Sequence, residues 1–231
     1  MHGNRMDLLS LIDGSAQDFK LVIDYLPTYL SQFTRLHNIM TGISLGGHVA
    51  WRMAALTRPG QIAAYAMVVG SPNLTSLLLD RLGIDVDSLG PNANPDRLDL
   101  VGYEHLYDAM NTQQRRYWPR ALAELVRESD RKVYEEFPVD TPMLLCNGAL
   151  DPLVPAHFTT NWAASRTKQA TTATISSFSY HQKHLTRGHG GGTERKQRLV
   201  ETFVQDNTAH SCTKEMVSLI AMWLADMFQS R

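Results

Sequence analysis

The sequence predicts an α/β fold in which a mostly parallel sheet is flanked by helices. Apolar runs of strand length occupy residues 36–40, 62–69 and 143–148, and a helix-like segment follows both the first and the last of these. Residues 198–205 alternate well enough for a last strand, and residues 214–228 form a strongly amphipathic helix. Strands that alternate with helices are typical of parallel sheets. Functional side chains are therefore expected at the carboxyl ends of the strands.

A Gly-x-Ser-x-Gly pattern at residues 42–46 places Ser44 between the first strand-like run and a helix-like run over residues 49–56. A sharp turn from strand to helix strains its central residue, and a side chain on either flanking glycine is expected to clash. Such a turn presents the serine hydroxyl beside the N–H groups that begin the helix. Ser44 is therefore the candidate nucleophile. The competing interpretation is that Ser44 only caps the helix.

With this motif in this setting, the chain resembles the α/β-hydrolase superfamily, in particular the serine esterase, lipase and peptidase-like branch with a helical cap. The resemblance implies a partial α/β-hydrolase fold and acyl-enzyme chemistry on Ser44. It also implies that the backbone N–H of Leu45 forms half of an oxyanion hole. No cofactor is expected, because the mechanism needs none. In this family an acid and then a histidine follow the nucleophile along the chain.

Asp151 and His210 fit these two roles in the required order. Asp151 follows the strand-like run at residues 143–148, and this resembles the family's acid loop. His210 lies in a polar turn between the last strand and the closing helix, where the family keeps its general base. A serine hydroxyl needs a base within reach, and imidazole titrates close to neutral pH. A carboxylate fixes the tautomer of that imidazole and stabilises its charged form.

Other residues compete for the same roles. Asp151 is also explained as the start of a turn before Pro152. Asp130 and Asp140 are weaker candidates for the acid, because neither directly follows a strand. His48 is predicted to be a helix residue near the serine, and His157 a surface residue of the helix after Asp151.

The tract from residue 167 to residue 196 is rich in Thr, Ser, His and Gly and has no hydrophobic period. It contains three further histidines, namely His181, His184 and His189. Residues 189–192 spell His-Gly-Gly-Gly, a pattern that supplies oxyanion amides in one lipase branch, but there it precedes the nucleophile. We interpret the tract as a flexible insertion. A metal site is not expected, because no Cys, Asp or Glu stands beside these histidines at ligand spacing.

Composition excludes several other classes of function. The chain has 231 residues, a formal net charge of −1 and 19% charged residues, so it has no marked basic character that would indicate nucleic acid as a partner. Its two cysteines do not form a disulfide framework. Neither a secretion signal nor a membrane span is visible, so the sequence predicts a cytoplasmic protein.

The N-terminal region is shorter than the resemblance requires. Only about 40 residues precede Ser44, and they contain one helix-like stretch at residues 16–33 with an apolar face. The resemblance therefore implies a truncated start, just after the family's fourth strand, and the loss of a second oxyanion donor. An unpaired strand edge at residues 38–41 is expected to favour self-association.

The predicted organisation has a core at residues 1–70 and 138–231, a helical cap at residues 71–137 and the insertion at residues 167–196. The leading hypothesis is a serine hydrolase that cleaves an ester, thioester or amide of a small acyl substrate. The first alternative is a weak or inactive truncated hydrolase that acts as a binding scaffold. A second alternative is acyl transfer to an alcohol on the same residues.

Overall fold

A computed structural model describes residues 5–138, 140–173 and 199–229 of the chain. Its centre is a four-stranded sheet in the order β1–β2–β3–β4, and every neighbouring pair is parallel. The strands are β1 (Ile39–Ile43), β2 (Ala64–Val68), β3 (Met143–Gly148) and β4 (Val200–Gln205). The predicted α/β class, with a parallel sheet flanked by helices, is confirmed.

The helices alternate with the strands as the sequence predicts. They are α1 (Arg5–Tyr29), α2 (Leu45–Leu56), α3 (Leu74–Asp80), α4 (Tyr103–Ala109), α5 (Thr112–Tyr117), α6 (Arg120–Glu136), α7 (Ala156–Ala173) and α8 (Lys214–Gln229). Two 3₁₀ turns, Asp87–Leu89 and Pro95–Leu100, lie between α3 and α4. Helix α7 runs into the predicted insertion as far as Ala173, and residues 174–196 of that tract lie outside the described residues.

The first strand lies three residues later than the predicted run at 36–40. Residues Ile39 to Ile43 pair in register with Ala64 to Val68 of β2. Along β1 exposed and buried residues alternate, with Met40 and Gly42 facing the interior. Pairing with a fully buried β2 fixes this register, because a shift by one residue turns every side chain to the other face. As a result β1 ends at the residue before Ser44.

The two faces of the sheet have separate cores. On one face, Tyr65 and Met67 of β2 belong to a large cluster that includes residues of α1, α2, α6 and α7. On the other face, Ala64 and Val68 of β2 belong to a smaller cluster with Met216, among other residues of α8. In the part of the chain that the structure describes, α8 is the only helix whose residues form this second core. This second core contains residues of β2, β3 and β4 and none of β1.

The helix-like stretch predicted at residues 16–33 lies mostly within α1, and much of its apolar face is exposed. Leu21, Val22 and Tyr25 are more than half exposed. Helix α1 begins earlier than predicted, and it buries Leu9 and Ile12 instead. Helix α1 has 25 residues and packs against α2, which has 12, so α1 is much the longer of the two.

A buried ion pair fastens α6 to the core. The guanidinium of Arg52 in α2 bonds Asp130 of α6, and its Nε donates to Ser129 Oγ at 3.0 Å. Asp130 also accepts the backbone N–H groups of Leu74 and Thr75 at the start of α3, at 2.8 and 2.7 Å. Asp130 is thus a structural residue that joins three helices, and it is not the acid that contacts His210.

Candidate active site

Ser44 occupies the turn between β1 and α2 in a strained conformation. Its φ is 54° and its ψ is −113°, values that a residue other than glycine seldom adopts. Strain of this kind costs about 1–3 kcal/mol and is found most often at functional sites. The backbone N–H of Ser44 donates to Val68 O of β2 at 2.9 Å, which holds the turn against the neighbouring strand. Ser44 is therefore more than a helix cap, and its side chain makes no capping hydrogen bond.

Only the first of the two glycines in the motif is required by a close backbone contact. A Cβ on Gly42 would lie 2.0 Å from the carbonyl oxygen of Gly46, so the first glycine is required by the close approach of backbone. A Cβ on Gly46 would meet no atom within 4 Å, and the predicted clash at this position is wrong. The second close approach is made by the next residue, Gly47, whose Cβ would lie 3.0 Å from Gly70 Cα. This contact brings α2 against the end of β2.

The structure brings Ser44, His210 and Asp151 into one hydrogen-bonded series. Ser44 Oγ lies 2.7 Å from His210 Nε2, and His210 Nδ1 lies 2.8 Å from Asp151 Oδ2. A carboxylate can only accept, so the proton of a neutral imidazole is on Nδ1. Nε2 is then free to accept the hydroxyl proton of Ser44. The three residues follow β1, β4 and β3, at one end of the sheet.

Asp151 is held in one orientation by its own loop. Its second oxygen, Oδ1, accepts the backbone N–H groups of Leu153 and Val154 at 2.8 and 3.0 Å. Its side chain is fully buried, and that of His210 is 22% exposed. The acid thus lies inside the protein, and the imidazole lies at the edge where a substrate has access to it.

The acid loop and the histidine loop are joined through their backbones. Ala149 N donates to Gln205 O, and Leu150 N donates to Thr208 O, both at 2.9 Å. A Cβ on Gly148 would lie 2.4 Å from the carbonyl oxygen of Thr208, so β3 ends in a glycine where the histidine loop crosses it. These contacts set the separation between Asp151 and His210.

Arg81, at the end of α3, is a site residue that sequence reasoning missed. Its Nε donates to Leu153 O at 3.1 Å, and a second guanidinium nitrogen bonds the same oxygen. Leu153 in turn donates to Asp151, so Arg81 supports the acid loop from outside. The two residues are 72 positions apart, and no local pattern in the sequence indicates the contact.

His48 is buried one turn after Ser44 and forms a neutral structural contact. Its Nδ1 lies 3.1 Å from the backbone nitrogen of Ser71 and 3.3 Å from the backbone oxygen of the same residue. Burial lowers the pKa of His48 to about 3, and the positive charges of Arg52 and Arg81 act in the same direction, while a hydrogen bond from the ring to the backbone carbonyl of Ser71 opposes them. His48 thus stays uncharged in the folded protein and is a helix residue, as predicted.

We expect the buried His48 to make the protein less stable in mild acid. In the unfolded chain this imidazole takes up a proton below its ordinary pKa of about 6.5, while in the folded chain it stays neutral down to about pH 3. The unfolded state therefore binds more protons, and this group alone lowers the free energy of unfolding by about 2 kcal/mol between pH 7 and pH 5. Urea unfolding of the native chain and of His48→Asn at both pH values measures this loss. The asparagine keeps an acceptor for Ser71 and cannot titrate, so an equal loss in both proteins would contradict the assignment.

The other residues that the sequence offered for the acid and the base are not part of the hydrogen-bonded series. Asp140 is exposed in the turn before β3. His157 is an exposed residue of α7, and its Nδ1 lies 2.6 Å from Asp96 Oδ1. The three histidines of the 167–196 tract and the His-Gly-Gly-Gly pattern lie outside the described residues. Within the described ranges, no group of three or more His, Cys, Asp or Glu side chains is placed to hold a metal ion.

Fold and site together define an α/β protein in which Ser44, His210 and Asp151 meet at the carboxyl ends of three parallel strands. No protein-family model and no curated protein matches the chain. Solved structures similar to this chain include a lipase, a thioesterase and an alpha/beta hydrolase domain-containing protein. That the first strands of the family's fold are missing stays a prediction from the sequence.

Three of these structures illustrate the likeness. The monoacylglycerol lipase of Paleococcus ferrophilus is 14% identical, with 93% of this chain and 75% of the lipase covered and a TM-score of 0.46. Acyl-protein thioesterase 2 of Zea mays is 13% identical, with 93% and 64% covered and a TM-score of 0.44. Mouse alpha/beta hydrolase domain-containing protein 10 is 14% identical, with 93% and 68% covered and a TM-score of 0.47. The chain thus spans less than two thirds of the maize protein, and at these identities the likeness concerns fold alone.

The described helices do not meet the requirements of a lipid bilayer. None of them combines the length and the apolar character that crossing a membrane requires.

Proposed function

We propose that the chain is a serine hydrolase that cleaves a carboxylic ester, or a thioester or amide, through an acyl-enzyme. Ser44 is the nucleophile, His210 the general base and Asp151 the orienting acid. The observation that carries the proposal is the series of two short hydrogen bonds, 2.7 Å from Ser44 Oγ to His210 Nε2 and 2.8 Å from His210 Nδ1 to Asp151 Oδ2. The strained φ of Ser44 is a second, independent support.

In the first half of the reaction, Ser44 Oγ attacks the carbonyl carbon of the substrate while His210 Nε2 takes the hydroxyl proton. The imidazolium that forms is stabilised by Asp151, which stays ionised. When the tetrahedral intermediate collapses, the bond to the leaving group breaks and His210 gives it the proton. An acyl group is then esterified to Ser44. The bond between His210 and Asp151 holds the imidazole in the tautomer that this step needs.

In the second half, water takes the place of the leaving group. His210 Nε2 removes a proton from the water, the hydroxide attacks the acyl carbon, and the proton returns to Ser44 Oγ as the acid product leaves. Leu45 is the first residue of α2, so its N–H has no partner within the helix and is assigned to the oxyanion. If the second donor is missing, as the sequence predicts, turnover is about 10²–10³-fold slower than with a complete hole.

Labelling with a fluorophosphonate tests the proposal directly. The reagent forms a bond between its phosphorus and an activated serine oxygen, and fluoride leaves. We expect the native chain to be labelled at Ser44, as mapped by peptide mass spectrometry, and the Ser44→Ala variant to remain unlabelled. Ser71, which is buried and bonded to Asn73, serves as a control site that should not react. No labelling of the native chain above the Ser44→Ala background would refute the hydrolase.

A second candidate function is a binding scaffold that associates through the edge of the sheet. In the described sheet β1 pairs only with β2, so the opposite edge of β1 has no strand partner. This edge carries no charged residue and no proline, and Ile39 and Ile43 are exposed. Natural sheets protect their edges with such residues, and an apolar edge without them pairs readily with another chain.

Light scattering after size-exclusion chromatography tests this scaffold. If two copies pair through β1, the native chain is a dimer and Thr41→Lys, which places a charge at the centre of the edge, is a monomer. Ser218→Lys, on an exposed part of α8, is the matched control and should remain a dimer. A native monomer that reacts with fluorophosphonate would favour the enzyme, and an unreactive dimer would favour the scaffold.

The division into a core at residues 1–70 and 138–231 and a cap at residues 71–137 is also a proposal. It is supported by the packing of α3 against the second 3₁₀ turn and by the bond from Arg81 to the acid loop. A small acyl compound as the substrate belongs to the same proposal. The cytoplasmic location stays a prediction from the sequence.

A further inference from the structure

Arg81 connects helix α3 of the predicted cap to the loop that carries Asp151. Its Nε donates to the carbonyl oxygen of Leu153 at 3.1 Å, and a second nitrogen of the guanidinium donates to the same oxygen. Two donors that converge on one acceptor fix the direction of this contact as well as its length. None of the proton transfers between Ser44, His210 and the substrate uses this arginine, so any effect that it has on the reaction must pass through Asp151.

The carbonyl oxygen of Leu153 belongs to the same peptide unit as the N–H of Val154. That N–H donates to Asp151 Oδ1 at 3.0 Å, and the N–H of Leu153 donates to the same carboxylate oxygen at 2.8 Å. One peptide unit therefore joins the guanidinium on one side to the carboxylate on the other. Because hydrogen bonds in a chain polarise one another, a positive donor on this carbonyl strengthens the bond from Val154 N to the carboxylate.

The charges of Arg81 and Asp151 also interact with each other. Partial burial lowers the pKa of the Arg81 guanidinium, and the negative charges of Asp151 and Asp80 oppose that change. The side chain of Asp151 is fully buried, and a buried charge is costly unless hydrogen bonds and opposite charges compensate it. Arg81 supplies a positive charge on the side of the carboxylate that His210 does not contact.

Helix α3 gives Arg81 a fixed starting point. The first two N–H groups of this helix donate to the buried carboxylate of Asp130, and at its other end Arg81 N donates to Leu77 O at 3.1 Å. Residues 74–79 of the helix are buried. A guanidinium that projects from an anchored helix positions its acceptor more precisely than one carried by a loop.

The acid loop is thus held from two sides. Its beginning is joined to the histidine loop through the N–H groups of Ala149 and Leu150, and its end is held by Arg81. Asp151 lies between these two attachments. Without the second attachment, the peptide unit that holds Asp151 Oδ1 can move, and the carboxylate can rotate away from His210 Nδ1.

We propose that Arg81 is a positioning residue of the active site, which fixes the carboxylate of Asp151 through the Leu153–Val154 peptide unit and thereby keeps the ring proton of His210 on Nδ1. This inference rests on the proposed function and adds to it a residue of the predicted cap. Since Arg81 acts on the acid loop and not on the substrate, its loss slows the chemical step and leaves binding unchanged.

Fluorophosphonate labelling measures this role in a single chemical step. Arg81→Met removes the charge and both donors and keeps an apolar stem of similar length. We expect the maximal labelling rate to fall about 10–100-fold, while the concentration that gives half of this rate is unchanged. Arg81→Lys keeps a positive charge and a donor but not the planar fork, so its rate should lie between those of Arg81→Met and the native chain. Arg81 lies at the surface, so both variants are expected to fold, which circular dichroism verifies.

Arg115→Met is the matched control within the predicted cap. Arg115 also donates its Nε to a backbone carbonyl, that of Tyr107, at 3.0 Å, and its loss should leave the labelling rate at the native value. An equal loss in both methionine variants would overturn the proposal, because the cap would then act as a whole. A rate for Arg81→Met within about threefold of the native rate would also overturn it. So would a higher half-maximal concentration at an unchanged maximal rate, because Arg81 would then bind the substrate.

Nuclear magnetic resonance of the imidazole nitrogens gives a readout that does not depend on catalysis. In protein with isotopically labelled histidine, the signals of His210 are assigned by their loss in His210→Gln. In mildly alkaline buffer, where an imidazole is ordinarily neutral, we expect the ring proton on Nδ1 in the native chain and shared between Nδ1 and Nε2 in Arg81→Met. An unchanged tautomer in the folded Arg81→Met protein would overturn the proposal.

The two readouts separate this inference from the proposed function. The expected change of tautomer in a protein whose native form is not labelled by fluorophosphonate would refute the hydrolase and leave Arg81 as the residue that orients the acid. Labelling of the native chain at Ser44 with an unchanged tautomer in Arg81→Met would support the hydrolase and refute the role of Arg81.

Discussion

Replacing Asp151 by asparagine is expected to lower ester turnover about 10⁴-fold while the chain remains folded. The asparagine keeps an oxygen for the N–H groups of Leu153 and Val154, so the loop loses little. Its amide nitrogen then faces His210 Nδ1 and donates to it, which moves the ring proton to Nε2. Ser44 is left without an acceptor for its hydroxyl proton. The effect on turnover is therefore much larger than the effect on stability.

Hydrolysis of a chromogenic ester and the rate of fluorophosphonate labelling measure this loss. Asp140→Asn is the matched control, because Asp140 is an exposed carboxylate in the turn before β3 and should keep the native rate. Circular dichroism and urea unfolding establish that the Asp151→Asn protein is folded. A folded variant whose rate lies within about tenfold of the native rate would show that Asp151 does not orient His210.

The glycines at the two ends of the serine motif are expected to respond to alanine in opposite ways. Gly42→Ala places a methyl group 2.0 Å from the backbone carbonyl of Gly46, where no flexible side chain can move away. We expect it to lower the free energy of unfolding by about 3 kcal/mol or more. Gly46→Ala meets no atom within 4 Å inside α2, so it should raise the free energy of unfolding by about 0.5–1 kcal/mol.

The midpoint of urea unfolding distinguishes the two variants, provided that the slope of the transition is unchanged. Each protein changes one glycine of one five-residue motif into the same residue, so composition and the unfolded chain are nearly identical. If Gly42→Ala is as stable as Gly46→Ala, the turn around Ser44 is wider than the structure has it. Fluorophosphonate labelling of the folded Gly46→Ala protein should remain near the native rate.

Much of the site could be predicted because its signals are local. The motif at residues 42–46, the carboxylate after an apolar strand and the histidine before an amphipathic helix each stand within a few residues of an element that the sequence indicates. Chain order and the parallel sheet then place them at the same edge. The strand at Met143–Gly148 was predicted with its bounds, since a fully buried strand reads as an unbroken apolar run.

The parts that could not be predicted depend on partners distant in the chain. The clash predicted for a side chain at Gly46 does not occur, and the need for a glycine at Gly47 was not predicted. The close approach is between Gly47 of α2 and Gly70 at the end of β2, which are distant in the chain. The exposure of Leu21, Val22 and Tyr25 in α1 could not be predicted, because an amphipathic pattern does not show which of its residues another element covers. Arg81, which supports the acid loop, contacts a residue 72 positions away, and nothing in the local sequence marks it.

By itself the sequence determined the α/β class and the candidates Ser44, Asp151 and His210, because hydrophobic period, turn residues and chain order are properties of short segments. The tertiary structure alone decided that these three side chains lie within hydrogen-bond distance of one another. The physical reason is that strand register, backbone close approach and uncovered surface arise only when distant segments pack. The sequence identifies Ser44 through its motif. The packing of β1, β3 and β4 then brings His210 and Asp151 next to it as the candidate base and acid.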